Sequence, residues 1–312
     1  MTHEIRNIAA SVNQRLLNLR ASRGEDFQVI LNRYGLERFL YRISRSPFAD
    51  RLILKGAFSF ELWGHQLYRP TRDMDFLGIF EPSPDEINRV FIQVCRQDVE
   101  SDGLEFDPDS VSVEPIRGQD DFGGLRVFLT AHLGRIRIRL QFDVAVIGRI
   151  TLKPGKVDFP ALLSFPAPRI SIYPKELTIA DKFHALCKLG MLNSRIKDHY
   201  DIFQLSRHFA FEGTDLRNGL HMIFEDVKSV IPSGIPDGLS DAFGHLPEKQ
   251  LLWRQFLTRI GKGSVDIDLS HVIECIRDFV LPPARAAVGN VEFDAFWPAG
   301  GPWRPQEKER NG

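Results

Sequence analysis

The sequence predicts an α+β protein: a mixed sheet flanked by helices over residues 1–160, followed by a mainly helical domain over 161–297. Three observations carry this. Residues 135–146 alternate without a break, with Arg135, Arg137, Arg139, Gln141, Asp143 and Ala145 on one side and Ile136, Ile138, Leu140, Phe142, Val144 and Val146 on the other. That period of two is a strand with one polar and one apolar face. Pro154-Gly155, then Pro160, Pro166 and Pro168, read as a punctuated linker. Beyond them the apolar residues recur at helical spacing almost to the end.

Taken in order, Ile5, Ile8, Val12, Leu16 and Leu19 form a helical stripe, and residues 26–44 form a second with an expected break at Gly35. Residues 57–63 read as a short helix and 75–80 as a strand closed by Pro82. Ser83 caps a helix to about Arg96, with Pro84 at its first position and acids in its first turn. Residues 110–115 and 125–131 read as strands flanking the turn at Gly123-Gly124. Helices follow over 178–192, 197–209, 216–230, 248–260 and 268–279. The last residues, 298–312, hold few core side chains and read as a flexible tail.

Length allows two domains, and 43% apolar with 26% charged residues is an ordinary globular composition. Three scattered cysteines, Cys95, Cys187 and Cys275, argue against a disulfide framework or a Cys-rich zinc site. There is no apolar signal segment and no run long enough to span a membrane, so a cytoplasmic location is expected. The formal net charge of -1 excludes a globally basic coat, but it conceals segregation. Residues 81–124 hold twelve acids against three bases, a net of −9. Residues 125–200 hold thirteen bases against five acids, a net of +8, and form the stretch where a polyanion is expected to be held.

Three features point to chemistry. Asp73 and Asp75 open a strand, and carboxylates at i and i+2 point to one face. Their repulsion is relieved by a cation, as at a Mg²⁺ site completed by substrate phosphate and water; a solvated strand end is the other reading. Asp143 shares a polar strand face with Arg139, Arg137 and Arg135, which suits a metal at one end and phosphates at the other, or an ion-paired outer sheet face. Lys55-Gly56-Ala57 starts a helix whose free N–H groups suit an anion.

The segment Leu54-Lys-Gly-Ala-Phe-Ser-Phe-Glu-Leu-Trp63 through Tyr68-Arg-Pro-Thr-Arg-Asp-Met-Asp-Phe76 resembles the first motif of the DNA polymerase β-like nucleotidyltransferase superfamily. The longer resemblance is to the AbiEii/AbiGii toxin family within it. Its later pieces are Leu140-Gln-Phe-Asp143-Val, Leu177-Thr-Ile-Ala-Asp-Lys182-Phe-His-Ala-Leu and Arg195-Ile-Lys197-Asp198-His-Tyr-Asp201-Ile, and all occur in order over about half the chain. The resemblance implies a nucleotidyltransferase-fold sheet and a toxin of a bacterial toxin–antitoxin or abortive-infection system. It implies NTP as substrate, Mg²⁺ or Mn²⁺ as cofactor, an RNA acceptor such as the tRNA 3′ end, and a cognate antitoxin.

Carried onto this sequence, the metal ligands are Asp73, Asp75 and Asp143, and the catalytic set adds Lys182 and Asp198. The NTP is expected at Lys55, Gly56, Ala57, Arg72, Arg137, Arg139, Lys182 and Asp201. Arg137, Arg139 and Lys182 would neutralise phosphate charge during in-line transfer. Ala57 departs from the family's Gly or Ser and removes a hydroxyl, or some backbone freedom, beside the phosphates. Lys182 lies on the stripe of Ile179, Phe183, Leu186 and Leu189, where a lysine also snorkels to solvent. His184 and His199 read better as structural than as acid–base groups. The other readings are a nucleotidyltransferase acting on a protein or small molecule, a metal-dependent nuclease, and a non-catalytic NTP-binding relative.

Overall fold

The computed structural model describes residues 7–63, 73–116, 124–147, 154–262 and 267–306. The chain divides into two compact units, Met1–Tyr173 and Pro174–Gly312.

In the first unit α1 (Ile8–Arg23) and α2 (Phe27–Arg45) lead into β1 (Leu52–Lys55), α3 (Ala57–Trp63), β2 (Asp73–Ile79) and α4 (Pro84–Cys95). Next come β3 (Leu104–Pro115), β4 (Gly124–Leu133), β5 (Ile136–Ile147), β6 (Gly155–Asp158) and β7 (Arg169–Ile172). Among the described residues these strands form one seven-stranded sheet in the order β3-β4-β5-β2-β1-β7-β6. It is mixed: β2 runs parallel to β5 and β1 to β7, and the other neighbours are antiparallel.

Local chemistry explains most of these boundaries. Asn7, Asp26 and Ser83 accept hydrogen bonds from first-turn N–H groups of α1, α2 and α4, meeting donors that have no partner inside the helix. Gly35 does not break α2. A Cβ there would stand 3.0 Å from Leu140 Cδ2, so the missing side chain lets the helix settle onto β5. The proline-punctuated segment is likewise more than a linker. It supplies β6 and β7 to the sheet edge, which moves the division between units from residue 160 to Tyr173. Glu37, buried in α2, holds this segment by accepting from the Leu162 N–H at 2.6 Å, and Arg38 donates to the Pro166 carbonyl at 2.8 Å. Burial pushes the Glu37 carboxyl up to about 7, against the opposing pull of Arg38.

Several phenylalanines pack together beneath this sheet. Phe142 of β5 is fully buried and packs on Phe39 at 4.8 Å, Phe91 at 5.3 Å and Phe76 at 6.2 Å between ring centroids. Arg42 and Asp102 pair at 2.7 Å at the edge of this core, and the Arg42 guanidinium lies 4.5 Å over the Phe106 ring.

The second unit is mainly helical: α5 (Lys175–Leu189), α6 (Ile196–His208), α7 (Gly213–Asp226), α8 (Asp241–His245), α9 (Pro247–Arg259) and α10 (Leu269–Val288). The helix expected to stop near residue 279 continues through Pro282-Pro283, because Val280, Leu281, Pro283, Ala284 and Ala287 prolong its buried stripe. A small sheet joins β8 (Phe211–Glu212), β9 (Ala295–Trp297) and β10 (Arg304–Pro305). The end of the chain, expected to be flexible, is therefore built in as far as Gln306, with Trp303 donating to the Phe279 carbonyl at 2.9 Å. Residues 307–312 lie outside the described residues.

Phe142→Ala should cost about 3–5 kcal/mol in urea unfolding, the range for deleting a buried ring from a packed core.

Candidate functional site

Strand register builds the site. In the β2–β5 pair Asp73 lies opposite Gln141 and Asp75 opposite Asp143. On the far side of β5, Arg126, Phe128, Thr130 and His132 of β4 lie opposite Asp143, Gln141, Arg139 and Arg137. Residues directly opposite one another share a face, and alternate residues of one strand do too. The result is one polar face with Asp75, Asp143 and Arg126 in one row and Asp73, Gln141 and Phe128 in the next. Arg139 with Thr130, then Arg137 with His132, follow below. The opposite face of the same strands carries Met74, Phe76, Phe142 and Val144, all fully buried.

Gly56 closes the carboxylate end. It has φ +74, and a Cβ on it would lie 1.9 Å from Asp75 Oδ2. The absence of a side chain thus serves both the turn from β1 into α3 and the seating of the Asp75 carboxylate. Lys55 pairs with Asp75 across β1–β2, and its Nζ lies 4.9 Å over the Tyr173 ring. Ala57 is buried, and the Ser59 hydroxyl turns inward to the Leu54 carbonyl at 3.5 Å, so Ser59 does not stand in for the missing hydroxyl. Arg72 lies outside the described residues.

Sequence reasoning missed Arg126. Its Nε and Nη2 donate to the two oxygens of Asp143 at 2.9 and 2.8 Å, and Gln141 Nε2 adds a third contact at 3.3 Å. The Asp143 hydrogen bond is the main reason the guanidinium is held more firmly protonated than usual, with Asp73 adding to it. The available signal was Arg126's polar position in an alternating strand; which carboxylate it meets is a matter of strand pairing. Asp143, expected as a third metal ligand, is thus paired with a guanidinium in this structure.

The last two motifs meet in the second unit. Lys182 on α5 donates to Asp198 Oδ1 at 2.9 Å and Asp201 Oδ2 at 2.8 Å on α6, and Arg195 Nε lies 2.8 Å from Asp198 Oδ2. Asp198 and Asp201 are buried at 0% and 1% side-chain exposure, so Lys182 answers buried charge rather than snorkelling to solvent. Burial alone would push the Asp198 carboxyl up; Lys182 and Arg195 outweigh it and hold it at about 2. His199 is structural: it is buried, Nε2 lies 2.8 Å from the Gly238 carbonyl, its ring stacks on Phe243, and desolvation pushes its pKa down. His184 packs edge-on against Phe224.

The residues also bear on the family's metal. Among the described residues no group of three His, Cys, Asp or Glu side chains is gathered closely enough to hold a cation. Asp73 and Asp75 nevertheless present two carboxylates on one face, with Gly56 leaving room for the second. That donor set fits Mg²⁺, which is bound through one or two carboxylates, water and substrate phosphate.

A family model for the nucleotidyl transferase AbiEii toxin, type IV toxin–antitoxin system, matches residues 38–288. The chain belongs to this family. It is a toxin-type nucleotidyltransferase, and the family implies an NTP substrate, a divalent metal and an antitoxin partner. No match was found among curated proteins. Two solved structures resemble this AbiEii-family chain. A protein from H. pylori assigned as a nucleotidyltransferase is 16% identical, with 84% of this chain and 95% of that chain covered and a TM-score of 0.42. JHP933 from Helicobacter pylori is 14% identical, with 84% and 92% covered and a TM-score of 0.43. Among the described residues no helix is long and apolar enough to cross a membrane.

Three outcomes follow from this geometry. Gly56→Ala should lower the thermal midpoint, through at least about 1 kcal/mol of backbone strain plus displacement of Asp75. Asp198, with its folded pKa depressed to about 2, should contribute about 2 kcal/mol above pH 4 that is lost as pH falls toward 2. Lys182→Met, which strands the buried acids, should remove about 3–5 kcal/mol at pH 7 by urea unfolding.

Proposed function

We infer that this chain transfers NMP from an NTP to the 3′-hydroxyl of an RNA acceptor, the hydroxyl oxygen bonding to the α-phosphorus as the α–β anhydride bond breaks and pyrophosphate leaves, with the tRNA 3′ end as the expected target, and acts in this way as the toxin of its system. The single observation that supports this best is the pair Asp73 and Asp75, facing the same way beside a glycine whose missing Cβ makes room for the second carboxylate. A Mg²⁺ ion at these carboxylates would neutralise the triphosphate and polarise the phosphorus under attack.

The chain's own groups do the rest. Asp73 and Asp75 would hold the ion, and through it the phosphates, at one end of the polar face. Asp143, one strand away, orients the acceptor hydroxyl and takes its proton once an oxygen is released by Arg126. The freed guanidinium of Arg126 then faces the charge that develops on the phosphates. Lys55, Gly56 and Ala57 border the same end. Arg72 and the second unit's Lys182, Asp198 and Asp201 enter this reading through the family motifs alone.

Incubation with labelled NTPs, MgCl₂ and total RNA should place label on RNA that is lengthened at its 3′ end. Asp75→Asn should lower the rate at least about a hundredfold, as for loss of a group that stabilises transition-state charge. Label on protein or a small product, or RNA fragments without added label, would refute the reading.

A further inference from the structure

Below the carboxylates the polar face of β4 and β5 changes character. Arg126 occupies the first row, on Asp143. Arg139 starts two rows below Asp143, but its guanidinium leans back to lie 4.8 Å over the ring of Phe128 in the second row. Arg137 starts three rows below and leans the same way, its Nη2 reaching Thr130 Oγ1 in the third row at 3.5 Å. Three guanidiniums therefore descend the face one row at a time. A row is two residues, about 7 Å of strand. That is close to the stride from one phosphate to the next in an extended single strand. Arg137 and Arg139 are exposed, and Phe128 is half-buried.

This spacing separates Arg137 from the NTP. A triphosphate anchored at Asp73 and Asp75 spans about one row, so the guanidinium of Arg137 stands outside it. The neighbouring strand limits the width of the basic lane. On β3, Glu114, Ser112, Asp107 and Glu105 lie opposite Arg126, Phe128, Thr130 and His132. Three of these four are acids, so the positive charge is confined to β4 and β5 and is bordered by negative charge. A duplex would set its second strand against those acids; a single strand would not.

We propose that the β4–β5 face is the track for the single-stranded 3′ segment of the RNA acceptor. Phosphates lie over Arg139 and Arg137, and a base near the reacting end stacks on Phe128. A basic lane with an aromatic side chain is the arrangement by which proteins hold single strands without reading sequence. The proposal rests on the RNA-acceptor reading above and gives the acceptor its place and direction: the 3′ end points up the strands toward Asp143.

Fluorescence anisotropy with a short labelled single-stranded oligoribonucleotide and its duplex, measured over a salt series, tests this. The single strand should bind more tightly than the duplex. Arg137→Ala with Arg139→Ala should weaken it at least about tenfold and reduce the slope of log K against log salt by about 0.7 per arginine. Phe128→Leu should weaken it at least about fivefold with the slope unchanged. Thermal melts should match wild type, and a fluorescent ribonucleoside triphosphate with Mn²⁺ should bind Arg137→Ala as before. Unchanged RNA affinity in the variants, a preference for duplex, or loss of triphosphate affinity in Arg137→Ala instead would overturn the track. If wild-type protein extends RNA while the variants keep its RNA KM, the track alone fails. If wild-type protein neither binds nor extends RNA, the acceptor reading fails with it.

Discussion

The pairing of β2 with β5 is the constraint on which the polar face depends. Seven consecutive residues of β2, Asp73 to Ile79, run parallel to Gln141 to Ile147. A slip of one residue would turn Asp73 and Asp75 into the core and expose Met74 and Phe76, so the register is held by hydrophobic burial. Phe142 enforces this from below, packed among Phe39, Phe76 and Phe91. The polar face and the aromatic core are thus two sides of one set of strands.

Charge is arranged around that face in a similar way. The acidic and basic stretches of the chain are neighbours in the sheet: β3 carries Glu105, Asp107 and Glu114, and β4 and β5 carry Arg126, Arg137 and Arg139. Part of the near-neutral total is thus a cancellation across neighbouring strands. Arg126 offsets Asp143, which limits the repulsion of three carboxylates drawn to one end of the sheet. In the second unit Lys182 and Arg195 do the same for Asp198, more completely, because Asp198 is fully buried.

Much of this was legible from local pattern. The alternation over residues 135–146 marked β5, its polar side and Asp143 at once, and the capping residues marked the starts of α1, α2 and α4. Glycine and proline misled where their reasons were tertiary. Gly35 looked like a helix break and is a contact with Leu140, and Pro282-Pro283 sit inside a helix whose buried side compensates. The segment around Pro160 to Pro168 looked like a linker because β6 and β7 are only four residues each, too short to show a period. Trp303 made the tail part of the second unit, a contact with Phe279 that no local signal announces.

Local pattern alone marked the polar residues of β2 and β5, their strand faces and the family, because periodicity and motif spacing are local properties. The tertiary structure decided who meets whom. Only strand order places Asp143 beside Asp75, about seventy residues away along the chain, and Arg126 against Asp143. Only the turn at Gly56 shows why that glycine has no side chain: the Asp75 carboxylate fills the place a Cβ would take.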